Sequence, residues 1–345
     1  MSVLFAIALF SVLILVHELG HFAAAKLSGV QVNEFSMFMG PVLFQKKLGE
    51  TLYSIRLIPL GGFCAMEGED GGSESPRSFD RAAWWKRLVI LVSGAAMNFL
   101  LGAAMLLAFT MPVKRLAVPE ILSFEDYATV SDTLQPGDVL HEIDGERVYV
   151  YSDVSLLLRL NPGEVHDLVV VRNGQKLPLD NVLLRYHETE AGQKLGINFA
   201  TREVTFADRL DHAWNLTRDT VRIVGLSLKM LLTGQAGLKD MSGPVGIVQQ
   251  MSLAAEAAPS RTVALMNFLY FGGFIGINLA VMNLLPIPAL DGGRVVGLLI
   301  TTAVEAATGK KINPKYEGWL HGAGMMALFA LMGIIMFKDI IFLFK

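Results

Sequence analysis

The stretch that decides the fold of this chain is Val3-Leu-Phe-Ala-Ile-Ala-Leu-Phe-Ser-Val-Leu-Ile-Leu-Val16-His17-Glu18-Leu19-Gly20-His21. Its first part, Val3–Val16, is almost wholly apolar, and roughly 14 residues of helix rise about 21 Å. The hydrocarbon core of a bilayer is about 30 Å thick and needs about 20 residues of helix to cross it. The His-Glu-x-x-His cluster is therefore predicted to lie inside the hydrocarbon layer, towards the cytoplasmic side.

The composition of the whole chain is typical of a membrane protein. Of its 345 residues, 52% are hydrophobic and 18% are charged, whereas about a quarter are charged in soluble domains. The first apolar stretch lacks the basic start and the small-residue cleavage site of a signal peptide, so we expect it to be retained as a span. Four stretches are long enough to span a bilayer: Val3–Leu27, Leu88–Met111, Val263–Leu285 and Gly322–Phe344.

Charge and cysteine content exclude several classes of function. The formal net charge is -3, and the sequence has no basic stripe that could neutralise phosphates, so nucleic acid is not an expected partner. The expected surroundings are the lipid bilayer. Cys64 is the only cysteine, which rules out an intramolecular disulfide and a thiolate metal cluster. We interpret it as an inert packing residue.

The segments between the spans predict the remaining parts of the fold. Residues 32–60 are predicted to form a β-hairpin, and its apolar composition indicates that it enters the membrane or packs on the helices. Such a hairpin is tolerated at membrane depth only where protein or a water-filled cavity satisfies its backbone hydrogen bonds. Residues 113–203 show short β-type runs and a hairpin signal at Asn173-Gly174. Residues 205–233 show the periodicity of an amphipathic helix, lying on the membrane surface or belonging to the small domain.

We therefore predict a polytopic α-helical membrane protein with about four transmembrane helices, a membrane-re-entrant β-hairpin and an inserted small α+β domain. The predicted parts are 1–112, 113–203, 204–262 and 263–345. Basic residues in short loops face the cytoplasm, which places the small domain and both termini on the extracytoplasmic side. The basic residues of the two loops are Lys46, Lys47, Arg56, Arg77, Arg81, Lys86 and Arg87, and Arg294, Lys310, Lys311 and Lys315.

The spacing of His17 and His21 predicts a metal site. Side chains at i and i+4 share one helical face, so both imidazoles can bind one ion, and Glu18 can act on a metal-bound water as general base. Ionisable groups at this depth are costly unless they are compensated, and a metal ion compensates them. The alternative is a histidine pair that only hydrogen-bonds inside the helix bundle.

Catalytic zinc commonly keeps three protein ligands and one open position, so a third ligand is required. The best candidate is Asp291, because the third span breaks at Pro286 and Pro288 and then presents this carboxylate followed by glycines. A broken membrane helix is tolerated where it lines a buried polar site. The alternative for Asp291 is a helix-capping residue in a loop.

These motifs carry a resemblance to a known family. His17–His21 together with Asn283–Arg294 resembles the site-2 protease family of intramembrane zinc metalloproteases, in particular its RseP-type branch, here with a single PDZ domain. Gly94-Ala-Ala-Met-Asn98 resembles that branch's motif in the second span, and Ser242–Ile247 resembles a stretch that precedes the third. Leu134–Leu140 is the clearest piece of a PDZ-like domain, and the resemblance covers nearly the whole chain.

The resemblance implies a role for each site residue. His17, His21 and Asp291 would bind one Zn²⁺ per chain, and Glu18 would be the catalytic base. Asn278 and Asn283 would hold the substrate backbone, although they could instead link spans by hydrogen bonds. The re-entrant hairpin, with Gly61 and Gly62 at its end, would pair with an extended substrate by strand addition.

The expected function is hydrolysis of peptide bonds within or near transmembrane segments of single-span membrane proteins, in a bacterial cytoplasmic membrane. Anti-sigma factors and signal-peptide remnants are the substrates that the resemblance implies. Two alternatives stay open: a catalytically silent scaffold that recruits partners through its PDZ-like domain, and a metal transporter that uses His17, His21 and Asp291 as a transit site. The sequence leaves the oligomeric state open.

Overall fold

The computed structural model describes residues 2–69, 72–130, 132–189, 192–237, 241, 243–309 and 314–343. The chain divides into two compact units. The first combines Met1–Leu106 with Thr220–Lys345, and the second is Leu107–Asp219. The second unit extends beyond the predicted 113–203 domain at both ends.

The described residues form eight helices and eleven strands. The helices are α1 (Ser2–Ser28), α2 (Trp84–Thr110), α3 (Ser152–Leu160), α4 (Phe206–Leu232), α5 (Pro244–Glu256), α6 (Arg261–Asn283), α7 (Asp291–Thr308) and α8 (Pro314–Leu343). The strands are β1 (Val32–Leu48), β2 (Thr51–Met66), β3 (Arg115–Phe124), β4 (Thr129–Val130), β5 (Val139–Ile143), β6 (Glu146–Arg147), β7 (Val165–Arg172), β8 (Gln175–Arg185), β9 (His187–Thr189), β10 (Gly192–Lys194) and β11 (Ile197–Glu203).

Four helices are long and apolar enough to cross a membrane, and the prediction of four spans is confirmed. Their spans are Phe5–Ser28, Trp84–Thr110, Arg261–Asn283 and Gly318–Ile341. The ends differ from the predicted ones by a few residues, because helices α2, α6 and α8 continue into polar flanking residues. Helices α5 and α7 were not predicted, since each follows a loop signal and is too short or too mixed to stand out. Ser242, Lys310, Lys311 and Phe344, on which parts of the prediction rest, lie outside the described residues.

Helices α2 and α6 cross at glycines. A β-carbon added to Gly102 of α2 would lie 2.8 Å from the carbonyl oxygen of Gly273, and one added to Gly273 would lie 2.6 Å from Leu106 Cγ. Small residues at the contacts between membrane helices let the backbones approach closely. Van der Waals packing then stabilises the contact, because in lipid the hydrophobic effect does not drive helices together. This close crossing brings the end of α6 beside the polar half of α1, where the histidines lie.

Strands β1 and β2 pair as an antiparallel hairpin. The hairpin is longer than the predicted one, and it also bends back so that one part of it pairs with another. Phe35 of β1 lies opposite Cys64 of β2 and also opposite Tyr53, because the hairpin doubles back on itself. Its base packs on the helices through Val32 and Met66, which are buried. Its far part exposes Leu43, Phe44 and Leu57. An apolar exposed surface fits a lipid environment, and entry of the hairpin into the membrane stays a prediction.

The second unit is built on a seven-stranded sheet. Its strand order is β11-β3-β5-β7-β8-β4, with β6 paired to β5. Inward-facing residues of the strands and α3 form one core that includes Ile121, Ile143 and Val170. A partly buried ion pair fixes the loop before β5, since Arg172 donates to both carboxylate oxygens of Asp138 at 2.7 and 2.8 Å. The predicted Asn173-Gly174 turn joins β7 to β8.

In the first unit, a buried carboxylate of α8 holds the start of α5. Asp339 Oδ2 accepts hydrogen bonds from the backbone N–H groups of Gly243 and Gly246, at 2.9 and 3.0 Å. The first N–H groups of a helix have no partner within the helix, and a carboxylate there also interacts favourably with the helix dipole. Lys338 donates to the carbonyl oxygen of Met241. The carboxylate therefore takes the place of a side-chain cap, because the N-cap residue Gly243 has no side chain to provide one.

We expect Asp339→Ala to destabilise the protein by about 1–3 kcal/mol, because two backbone N–H groups at this buried helix end lose their acceptor. Asp339→Asn keeps one acceptor oxygen, so its unfolding temperature should lie between those of Asp339→Ala and the native chain. The measurement is thermal unfolding of the full chain in detergent, with Met326→Ala, at an exposed position of the same helix, as the control. Equal unfolding temperatures for Asp339→Ala and the native chain would contradict this assignment.

Candidate metal centre

Three side chains converge in the first unit, as the sequence predicted. His17 and His21 lie one turn apart on α1, and Asp291 is the first residue of α7. The distance from His17 Nε2 to His21 Nε2 is 3.1 Å. Asp291 Oδ2 lies 3.2 Å from His17 Nε2 and 3.4 Å from His21 Nε2. The three atoms thus form a nearly equilateral triangle, and they are a group that could hold a metal ion.

The triangle has the dimensions of one face of a zinc tetrahedron. Zinc binds imidazole nitrogen and carboxylate oxygen at about 2.0–2.2 Å, so two ligand atoms of a tetrahedral site are about 3.3–3.5 Å apart. In addition, Asp291 Oδ2 is buried and makes no hydrogen bond of acceptable geometry, despite the two nitrogens beside it. Two imidazole nitrogens and one carboxylate oxygen this close together form a ligand set for one cation. The residues present therefore fit a zinc ion.

Hydrogen bonds on the far side of each ring orient the two imidazoles. His21 Nδ1 lies 2.8 Å from the carbonyl oxygen of Ile90, so Nδ1 carries the proton and Nε2 keeps its lone pair. The amide nitrogen Nδ2 of Asn283 lies 3.5 Å from His17 Nδ1. When Nε2 of His17 binds a metal, Nδ1 carries the proton, and the Asn283 amide turned by 180° presents its oxygen as the acceptor. Such outer partners set ring orientation and ligand basicity at metal sites.

Two glycines allow the second helix to approach the metal motif. A β-carbon on Gly20 would lie 2.4 Å from the carbonyl oxygen of Ser93 on α2. A β-carbon on Gly94 would lie 2.4 Å from His21 Nε2 and 2.8 Å from His17 Cε1. These contacts are closer than real β-carbons make, so both positions require glycine. Helix α2 consequently forms a wall against the two imidazoles.

The break between α6 and α7 delivers the carboxylate. Helix α6 ends at Asn283, and Asp291 begins the next helix after a loop that carries Pro286 and Pro288. Gly292 packs so tightly against the backbone at the end of α6 that a β-carbon on it would lie 2.3 Å from the carbonyl oxygen of Leu284. The chain therefore folds back tightly on itself here, which turns the first residue of α7 towards α1.

Arg294, one turn into α7, forms an ion pair with Glu69 at the end of the hairpin. Glu69 Oε2 also accepts from the backbone N–H of Met66 at 3.2 Å. The ion pair links the first turn of α7, which carries the third ligand candidate, to the segment that follows the hairpin. Sequence reasoning placed Arg294 in the motif but gave it no partner, because Glu69 is 225 residues away in the chain.

The remaining predicted site residues lie at different distances from the metal site. Gly62 borders Glu18, since its added β-carbon would lie 3.5 Å from Glu18 Cγ. Gly61 adopts a φ of 81°, a left-handed conformation that favours glycine. Asn283 contacts His17 as described. Asn278, five residues earlier on α6, is half-buried and makes no hydrogen bond to the three ligand candidates.

The chain is similar to known metallopeptidases over nearly its whole length. A model of peptidase family M50 matches residues 5–331. A protein of Clostridium acetobutylicum with the provisional name zinc metalloprotease is 36% identical over 344 residues, covering 99% of this chain and 98% of the relative. The regulator of sigma-W protease RasP of Bacillus subtilis is 26% identical, with 98% of each chain covered. Zinc metalloprotease RasP of Oceanobacillus iheyensis is 27% identical, with 97% of each covered.

The chain belongs to peptidase family M50. The predictions of an enzyme of the zinc metallopeptidase class and of zinc as its cofactor are confirmed. The resemblance to RasP-type relatives also agrees with a bacterial membrane protein. Sequence reasoning missed the roles of Gly94 and of the Ile90 carbonyl group. A glycine in an apolar span is a usable signal for close helix contact, whereas a backbone carbonyl group leaves no trace in the sequence.

We predict that Gly94→Ala lowers the zinc content of the purified protein, because the new methyl group occupies space beside His21 Nε2. Gly333→Ala is the matched control, since it lies in a spanning helix and an added β-carbon there meets nothing within 4 Å. The measurement is zinc per chain by elemental analysis after equilibration with a zinc buffer. Equal zinc content in the two variants would show that α2 does not confine the imidazoles.

Proposed function

We propose that His17, His21 and Asp291 hold one zinc ion and that the enzyme cleaves peptide bonds within or near transmembrane segments of other membrane proteins. The observation that carries the proposal is the triangle of Nε2, Nε2 and Oδ2 atoms, 3.1–3.4 Å apart. Its two nitrogens belong to a helix that is long and apolar enough to cross a membrane. A donor set at this depth is reached most directly by a substrate that lies in the same membrane.

Glu18 is proposed as the general base and acid. When bound, zinc supplies Lewis-acid polarisation of a carbonyl group and lowers the pKa of a coordinated water to about 7. The carboxylate of Glu18 takes the proton of the attacking water and returns it to the nitrogen of the leaving amine. Glu18 directly follows His17 on α1, and a β-carbon on Gly62 of the hairpin would lie 3.5 Å from its Cγ, which supports a role for Glu18 beside the proposed substrate strand.

The substrate must be extended near the cleaved bond, because a helical peptide bond is shielded by its own hydrogen bonds and neighbouring turns. Residues 62–66 of β2 pair on one side with β1, and we propose that their other side pairs with the substrate. Gly61 and Gly62, at the start of this segment, are proposed to contact the substrate backbone. Asn278 and Asn283 are proposed to hydrogen-bond to backbone groups that the unwound substrate exposes, the latter from its place beside His17.

Glu18→Gln is expected to keep one zinc per chain and to lower the cleavage rate at least about 100-fold, because the amide cannot accept a proton from water. The test reconstitutes each protein with a single-span substrate, follows cleavage and its position, and measures zinc in the same samples. Near-native cleavage by Glu18→Gln would refute the mechanism. Zinc without cleavage in the native protein, across several substrates, would instead favour the scaffold.

The small domain is proposed to restrict access to the site. Residues 113–203, within the sheet-rich second unit, resemble a PDZ domain and would admit substrates only after a prior cut has shortened their extracytoplasmic part. The basic residues of the flanking loops support an extracytoplasmic position for this domain and an active site near the cytoplasmic face. The name of the Bacillus subtilis relative, regulator of sigma-W protease, supports regulated intramembrane proteolysis of a membrane-bound regulator as the function.

Deletion of 113–203 is expected to let the enzyme cut untrimmed substrates. The structure makes this deletion practical, because Arg115 and Glu203 are paired partners on β3 and β11, so a short glycine-serine linker can join the cut ends. Cleavage of a substrate with its full extracytoplasmic domain is compared with cleavage of its shortened form. A deletion variant that cuts the short form only, as the native chain is expected to do, would exclude the filter.

A further inference from the structure

A strained residue lies two positions before the third metal ligand. Ala289 has a φ of 83°, in the left-handed region that residues other than glycine rarely adopt and that costs about 1 kcal/mol or more. Strain of this kind persists only where the surroundings hold it. Its place in the loop matters, since Ala289 and Leu290 set the direction in which α7 starts and hence where Asp291 points.

The last spanning helix supplies the contact that holds this residue. The backbone N–H of Ala289 donates a hydrogen bond to Nδ1 of His321 on α8, at 3.0 Å. Because Nδ1 accepts, the ring is neutral and its proton is on Nε2. Among the loop residues nearby, Pro286 and Pro288 have no N–H to donate, so the N–H of Ala289 is the donor that this part of the loop can offer to α8.

Packing one turn along α8 reinforces the hydrogen bond. A β-carbon on Gly324 would lie 2.5 Å from Pro288 Cβ and 2.6 Å from the carbonyl oxygen of Pro288. The loop thus rests directly on the backbone of α8, and His321 and Gly324 contact successive residues of it. On the other side of the loop, a β-carbon on Gly293 would lie 2.3 Å from the carbonyl oxygen of Ile287.

We propose that His321 is a positioning residue for the metal centre: it fixes Ala289 in the left-handed conformation and so aims Asp291 at His17 and His21. The inference rests on the proposed zinc site. It assigns a histidine outside the metal motif and outside the third-ligand motif to the function of the site. The histidine acts on the backbone that leads to a ligand and does not bind the metal itself.

The proposal predicts a graded series in zinc affinity. His321→Leu removes the acceptor and should weaken zinc binding about 10-fold, the lower end of the effect of removing outer partners at metal sites. His321→Asn can place its amide oxygen near the position of Nδ1 and should stay within about 3-fold of the native affinity. Ala289→Gly tolerates a positive φ without support, so His321→Leu should cost less in that background than in the native one.

The measurement is zinc affinity of each full-length variant in detergent, by competition with a chelator of known affinity. Thermal unfolding of the zinc-free proteins is recorded in parallel, and Met326→Leu on the same helix is the control. Weakened zinc binding in His321→Leu, native-like binding in His321→Asn and similar zinc-free stability of both would support the role. Native zinc affinity in His321→Leu would overturn the role. So would a result in which His321→Leu and His321→Asn lose the same zinc affinity and the same stability of the zinc-free protein.

His17→Ala separates this inference from the proposed site. If His17→Ala loses zinc and His321→Leu does not, the site stands and the positioning role fails. If His17→Ala binds zinc as tightly as the native chain, the proposed site itself is wrong.

Discussion

The structure is constrained by the free-energy cost of placing ionisable groups inside a membrane. An ionised carboxylate at the centre of a spanning helix costs about 2.5–3.5 kcal/mol on insertion scales, and Glu18 lies within a 24-residue span. Two imidazoles and a second carboxylate converge beside it. Such a cluster persists where each charge is compensated, and a divalent cation compensates it most completely. The arrangement of the surrounding helices follows from the need to bring these donors together.

Glycine and proline residues make that convergence possible. Gly20 and Gly94 let α1 and α2 approach so closely that the imidazoles rest against backbone, and Gly292 lets the broken third span fold back on itself. In a membrane, helices gain little from burying apolar side chains, so close backbone packing is what stabilises their contacts. The same closeness restricts the orientation of the proposed metal ligands, because a side chain packed against a neighbouring helix has fewer rotamers available. Packing and function thus have the same physical origin here.

Much of this could be predicted from the sequence, because the signals are local. The i, i+4 spacing of His17 and His21 and the length of the apolar runs define helices and a metal pair within a few residues of each other. Asp291 could be predicted because prolines and glycines mark a break in an apolar span. Helix α7 and the doubled-back form of the hairpin were missed, since the first has mixed polarity and the second depends on pairing between distant segments.

Contacts that join distant parts of the chain left no local signal. Ile90 orients His21 through a backbone carbonyl group, and any residue type supplies one. The ion pair between Arg294 and Glu69, and the contact of His321 with Ala289, connect residues that only the folded chain brings together. These contacts orient the proposed ligands, whereas the local motifs indicate which residues the proposed ligands are. The candidate residues could therefore be named from the sequence, but the contacts that orient them could not.

Zinc X-ray absorption spectroscopy of the purified protein, compared with Asp291→Ala, tests the central claim most directly. The account predicts a first shell of nitrogen and oxygen atoms at about 2.0–2.2 Å, with scattering from two imidazoles and no sulfur. In Asp291→Ala the imidazole scattering should remain while one oxygen ligand is lost or replaced. A sulfur neighbour at about 2.3 Å, fewer than two imidazoles, or an unchanged spectrum in Asp291→Ala would contradict it.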